Sequence, residues 1–142
     1  MQDYLFALQS ARTIAVVGCS GHSGRTSHSI ARYLLSNDIE VIPVNPNYEE
    51  ILGLTCYPDL HHIPEEIRID IVNIFRRPAF TKDVVEMTAE FAKQRGYRPL
   101  IWTQLGVSTR EAEQLAEAHE LPYVRNRCIM VEHRLEAGRF NP

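Results

Sequence analysis

Several things are scarce in this chain, and each shortage excludes something. Its 142 residues include only three cysteines, Cys19, Cys56 and Cys128. An odd count at wide spacing is no disulfide framework; it suits free thiols in a reducing cytosol. No apolar run approaches the ~20 residues of a bilayer span, so no membrane helix is expected. The opening Met1-Gln2-Asp3-Tyr4 carries no basic segment, so the sequence predicts no signal peptide and a cytoplasmic location. The net charge of −3 argues against a dedicated nucleic-acid binder. Lysine is nearly missing, with Lys82 and Lys93 standing against 13 arginines. Arginine forks suit phosphate and carboxylate recognition, although an arginine-preferring genome produces the same count.

What is present makes an ordinary globular domain. The chain is 44% hydrophobic and 23% charged, which supports a buried core and excludes disorder. Its length predicts one domain over residues 1–142. Charge is unevenly spread: residues 1–71 hold 4 basic and 9 acidic side chains, residues 72–142 hold 11 and 9.

The segment 13–18 is a continuous apolar run rather than an alternating one, the pattern of a strand buried on both faces in a parallel sheet. Similar runs occur at 40–44, 69–75, 99–103 and 122–124. Helical stripes lie between them. A short first helix is expected over 3–11, and Ile30, Tyr33 and Leu34 recur at i, i+3, i+4. A longer stripe runs from Val84 to Ala92 with Gly96 as its stop, and another holds Ala112, Leu115 and Ala116 with Ser108 and Thr109 as candidate N-caps. Strands alternating with helices predict a Rossmann-like, three-layer α/β fold around a mostly parallel sheet of about five strands. The Pro- and Gly-bearing stretch 45–68 is expected to hold only short turns and a small extra strand.

In such a sheet ligands bind beyond the carboxyl ends of the strands, so the residues after each strand are the informative ones. The first strand is followed by Gly18-Cys19-Ser20-Gly21-His22-Ser23-Gly24-Arg25-Thr26-Ser27. Small residues let backbone N–H groups approach a phosphate at a helix start, Arg25 offers a charged partner, and Thr26 and Ser27 are candidates for capping or for phosphate oxygens. A tight turn that binds nothing is the plain alternative. The glycines run G-x-x-G-x-x-G rather than as the dinucleotide fingerprint, and no Walker lysine follows. The second strand ends Val44-Asn45-Pro46-Asn47 with no carboxylate at its tip. A ribose carrying a phosphate is tolerated there, which weakens NAD, while Glu49 and Glu50 keep NAD(P) open.

The third strand ends Phe75-Arg76-Arg77-Pro78-Ala79-Phe80, suited to phosphates and to bordering an adenine ring. The fourth ends Trp102-Thr103-Gln104-Leu105-Gly106, where Gly106 permits close approach and Gln104 offers donor and acceptor. The fifth adds Arg125 and Arg127. Bland readings stand beside each: solvated arginines, a core Phe75 and a core Trp102. Catalytic constellations are poor. No G-x-S-x-G elbow appears, His61 and His62 are adjacent and so cannot share a helix face, and no metal set has ligand spacing. Cys19 precedes a helix start, where thiol pKa falls; a small buried cysteine is the alternative.

Taken together, Val17-Gly18-Cys19-Ser20, Arg25-x-Ser27, Val41-Ile42-Pro43-Val44-Asn45-Pro46-Asn47-Tyr48 and Leu52-Gly53 resemble the bacterial single-domain CoA-binding proteins. The likeness continues through Asp70-Ile71-Val72-x-x-Phe75-Arg76-Arg77-Pro78, Trp102-x-Gln104-x-Gly106-Val107 and Asn126-Arg127-Cys128-x-x-x-Glu132-His133. The family fold is similar to the CoA-binding domain of the succinyl-CoA synthetase α-subunit. The resemblance implies coenzyme A or an acyl-CoA at Gly18, Cys19 and Ser20, at Asn45 with Pro46, and from Trp102 to Gln104. Gly21-His22-Ser23-Gly24 replaces the Asp and Pro residues usual in that turn. It implies no ligase activity, which needs a second domain with a phosphorylated His. The expectation is a non-catalytic CoA-binding or sensing module with Gly18, Cys19, Ser20, Arg25, Ser27, Asn45, Pro46, Phe75, Arg76, Arg77, Trp102, Gln104 and Gly106 at its site. An NAD(P)-dependent oxidoreductase and a ligand-free partner subunit are the competing readings, and a homodimer is the common default for assembly.

Overall fold

The computed structural model describes residues 3–140. Five parallel strands form the central sheet: β1 (Thr13–Val17), β2 (Glu40–Val44), β5 (Ile71–Ile74), β6 (Leu100–Thr103) and β7 (Tyr123–Val124), in the order β2-β1-β5-β6-β7. Between β2 and β5 lies a small antiparallel pair, β3 (Glu50–Ile51) with β4 (Leu54–Thr55), and then a single 3-10 turn at Leu60–His62. These are the short turns expected of 45–68, with a hairpin in place of one extra strand.

The apolar runs form strands because both faces of the sheet are covered. Every residue of β1 is buried. Its Ile14 and Val16 join a core with Ile30, Leu34, Trp102 and Ile129, while Ala15 and Val17 join a second core with Val72, Val85, Phe91 and Ala112. Helices α1 (Asp3–Ser10), α2 (Thr26–Ser36) and α5 (Ile129–Phe140) cover the first face; α3 (Pro78–Arg95) and α4 (Arg110–Ala118) cover the second. This is the expected Rossmann-like α/β arrangement in three layers. No helix among the described residues is long and apolar enough to cross a membrane.

Local signals explain the helix ends. Gly96 terminates α3 at a left-handed φ of 80°, and the Thr109 hydroxyl caps α4 by accepting from the Ala112 N–H. Helix α2 departs from expectation. Arg25 holds its N-cap position without a side-chain cap bond, because the Ser27 hydroxyl is turned to another task. Helix α5 is not foreshadowed by the sequence pattern. Its Ile129-Met130-Val131 start carries two β-branched residues and a weak helical stripe, and Ile129 packing into the core outweighs that local preference.

The strand order has one functional consequence. The chain steps from β1 outward to β2, then crosses back over β1 to β5 and continues through β6 to β7. The connections diverge between β1 and β5, and at their carboxyl ends a crevice opens.

Candidate functional site

Gly18 begins the crevice. Its N–H donates to the Val44 carbonyl at 2.8 Å, and its φ of 88° lies where L side chains are strained. A Cβ built there falls 2.5 Å from the Phe75 carbonyl oxygen and 3.3 Å from the Arg76 side chain. Only glycine lets the ends of β1, β2 and β5 close so tightly. The following loop is braced by its own hydroxyls. Ser27 Oγ accepts from the Ser20 N–H at 2.9 Å, and Ser20 Oγ accepts from the His22 N–H at 3.0 Å. Ser27 is therefore a positioning residue for the loop. The N–H groups of Gly21, Ser23 and Gly24 have no acceptor among the described residues.

Asn45 ties the loop to the end of β2. Its Nδ2 donates to the Cys19 carbonyl at 2.9 Å while its Oδ1 accepts from the Asn47 N–H at 2.9 Å. Tyr48 supports the loop from below, since a Cβ on Gly21 falls 2.5 Å from the Tyr48 ring. Nothing in the sequence marks Tyr48 for this role, because the two residues meet only in the fold. Cys19 is fully buried, and burial, reinforced by the nearby Cys56, pushes its thiol up to about 12. That is opposite to the lowering expected ahead of a helix start: the apolar core beneath the loop outweighs the helix end, and the small buried cysteine is what the fold contains.

The end of β5 divides by side. Phe75 packs against the core on the α2–α5 face, whereas Arg76 turns to the α3 face, as strand alternation requires. There Arg76 lies 4.9 Å from the centroid of the Phe80 ring. Phe80, not Phe75, is thus the aromatic that lines the pocket on the α3 face. Arg25, Arg76 and Arg77 have no carboxylate within ion-pair distance among the described residues. Beside Gly18, Pro46 and Arg76 a pocket of about 210 Å³ opens, walled by Val44, Leu60, Val84 and Met87, with Asp59 and Asp83 at its edge.

The fourth strand end behaves differently. Trp102 is completely buried, its ring 5.4 Å from that of Tyr4, and its Nε1 donates to the Arg127 carbonyl at 2.8 Å. Gln104 is 6% exposed, and its Oε1 accepts from Asn73 Nδ2 and from the Ile129 N–H, each at 3.0 Å. The structure therefore puts the Trp102 ring and the Gln104 carbonyl into the framework, joining β5, β6 and α5. Gly106 sits in the turn beyond, with open space around its Cα. A second, broader depression of about 860 Å³ lies at the start of α4, bordered by Arg110, Arg125 and Arg127. Glu113 and Glu132 stand 3.7 Å from Arg125 and Arg127, so this depression is larger but partly self-neutralised. No cluster of three metal-ligating side chains occurs among the described residues.

Comparison with known proteins shows the family and the fold. A family described as CoA binding domain matches residues 12–134. The Bacillus subtilis protein YneT is 36% identical over 126 residues, covering 89% of this chain and 88% of that one. A solved Pyrococcus horikoshii protein superposes with a TM-score of 0.86 at 36% identity, over 96% of this chain and 92% of the other. An ADP-forming acetate–CoA ligase of Archaeoglobus fulgidus is 36% identical over 108 residues, 75% of this chain but only 15% of the ligase.

Proposed function

This chain belongs to the CoA binding domain family, and from that premise we propose that it binds coenzyme A, free or acylated, by its nucleotide end as a binding or sensing module. The observation that carries the reading is the crevice between β1 and β5. It joins a backbone loop with unclaimed N–H groups, Arg76 without an acidic partner, and an apolar pocket, with Arg25 and Arg77 at the neighbouring helix starts. In this reading the pyrophosphate meets the backbone from Gly18 through Ser20 and its loop, with Arg25, Arg76 and Arg77 supplying positive charge. Asn45 and Pro46 border the ribose, and the lack of a carboxylate at the β2 tip tolerates a 3′-phosphate. Phe75 and Ser27 act from behind by shaping the crevice and the loop. Trp102 and Gln104 hold the β6 end rigid, and the turn at Gly106 leaves the pantetheine a path outward.

Calorimetric titration of ligand-stripped protein with CoA, dephospho-CoA, NAD and NADP tests this. The expected result is CoA binding more tightly than dephospho-CoA, with negligible heat from either nicotinamide. Binding of NAD or NADP alone overturns the reading in favour of hydride-transfer chemistry. No binding at all overturns it in favour of a partner subunit with an unused nucleotide fold.

A further inference from the structure

The pocket beside Gly18 has a chemical selectivity of its own. Sites that enclose a whole drug-sized ligand run to roughly 300–1,000 Å³. At about 210 Å³ this one holds a single ring system. Its walls are apolar, with Val44, Pro46, Leu60, Val84 and Met87, and the Arg76–Phe80 pair forms one side. The only other polar side chains lining it are the two carboxylates, Asp59 and Asp83. Phosphates are repelled by that pair and directed back toward the loop. What fits is a flat, uncharged ring that presents an N–H.

Asp59 is fixed in a particular way. Its Oδ1 caps the 3-10 turn, accepting from the His62 N–H at 3.2 Å and facing His62 Nδ1 at 2.8 Å. No hydrogen bond of normal geometry reaches Oδ2 among the described residues, although the His61 N–H also faces the carboxylate. Burial alone raises this carboxyl, but the His62 ring and the backbone N–H groups of His62 and His61 outweigh it and hold it below its ordinary value. Oδ1 is engaged by His62, Oδ2 accepts no hydrogen bond of normal geometry, and the group is anionic at neutral pH.

We propose that Asp59 Oδ2 accepts a hydrogen bond from the exocyclic amino group of adenine, making Asp59 the residue that selects an adenine nucleotide in this pocket. The proposal rests on the CoA reading and adds base selectivity to it. A single free acceptor matches the one exocyclic amine that adenine offers. A base with a carbonyl at that position turns a lone pair toward a carboxylate and is rejected. Asp83, exposed on α3, is the other carboxylate lining the pocket.

The test is a two-by-two titration: wild type and Asp59→Asn, each with CoA and with 1,N6-etheno-CoA, whose amine is blocked. The Asn side chain retains the oxygen that caps the turn and replaces Oδ2 with a donor. Wild type is expected to bind etheno-CoA about tenfold more weakly than CoA, the loss of one charge-assisted bond. Asp59→Asn is expected to lose about tenfold for CoA and almost nothing for etheno-CoA. Equal losses for both ligands, or no loss for either, overturn the proposal while leaving CoA binding intact. It is overturned equally if Asp83→Asn carries the effect instead. If Asp59→Asn fails to fold, the wild-type comparison decides alone, equal affinities overturning the proposal. Failure of wild type to bind CoA removes the parent reading and this one together.

Discussion

The two halves of the sheet's carboxyl edge are made from similar residues and use them in opposite ways. At the β6–β7 end the polar groups satisfy one another. The Thr103 hydroxyl donates to the Val124 carbonyl and accepts from the Asn126 N–H; Asn126 Oδ1 accepts from the Ser108 N–H; Gln104 holds Asn73 and Ile129 together. At the β2–β1–β5 end the hydroxyls and the Asn45 amide only shape the loop, and leave its outward N–H groups and three guanidinium groups uncommitted. A polar group contributes to recognition only if the fold has not already used it. In the proposed reading the receiving half of the edge is the one at the switch point, and the other half is its rigid support.

Breaking the receiving half at its tightest point gives the largest effect. Gly18→Val drives a branched side chain into the Phe75 carbonyl at a positive φ. Unfolding stability in urea is expected to fall by about 3 kcal/mol or more, with CoA binding abolished. Gln104→Ala probes the supporting half. Two buried donors, Asn73 Nδ2 and the Ile129 N–H, lose their acceptor, and a loss of about 2 kcal/mol is expected. CoA affinity at a temperature where the variant stays folded is expected to be near that of wild type; a large affinity loss there would erase the distinction between the halves.

Charge sharpens the comparison further. Arg76→Ala with Arg77→Ala is expected to weaken CoA binding roughly thirtyfold and to flatten its salt dependence. Arg110→Ala with Arg125→Ala, in the larger depression, is expected to stay within about twofold; titration at two salt concentrations measures both. The smallest effect is a pH effect away from either half. Burial lowers the His133 imidazole below its ordinary 6.5, and the Tyr33 hydroxyl lies 2.7 Å from its Nδ1, joining α2 to α5. A depressed histidine contributes stability above its unfolded pKa, and that stability is lost as pH falls through the folded value. Urea midpoints are therefore expected to decline from pH 7 toward 5, and His133→Asn, which keeps an acceptor for Tyr33, is expected to reduce the decline.

The framework was legible because its signals are local. Largely apolar runs marked all five sheet strands, and Gly96 and Thr109 marked helix ends where the structure has them. Helix α5 escaped because its order comes from Ile129 entering a core assembled by α1, α2 and β6. The site was half legible. Glycine and arginine at strand ends pointed to the crevice, yet sequence cannot tell which strand-end groups the fold will consume. Trp102 and Gln104 stood beside Arg76 as strand-end candidates, Trp102 with a core role as its equal alternative. Sequence reading places Phe75 at the adenine, whereas alternation of side chains beyond β5 sets Phe80 beside the pocket. Asp59 was one carboxylate among many until the 3-10 turn fixed one of its oxygens and left the other free.

The buried thiol beneath the loop has a use as a clock. Burial pushes the Cys19 ionisation up to about 12 and leaves the side chain with no exposed surface, so it is shielded from thiol reagents while the loop is closed. Half-buried Cys128 offers a prompt reference signal in the same chain. Slow alkylation of Cys19 therefore counts the moments when the loop lifts away from its core. Any molecule held only by the closed loop slows that count in proportion to its occupancy, so the protein carries its own gauge of what it has bound.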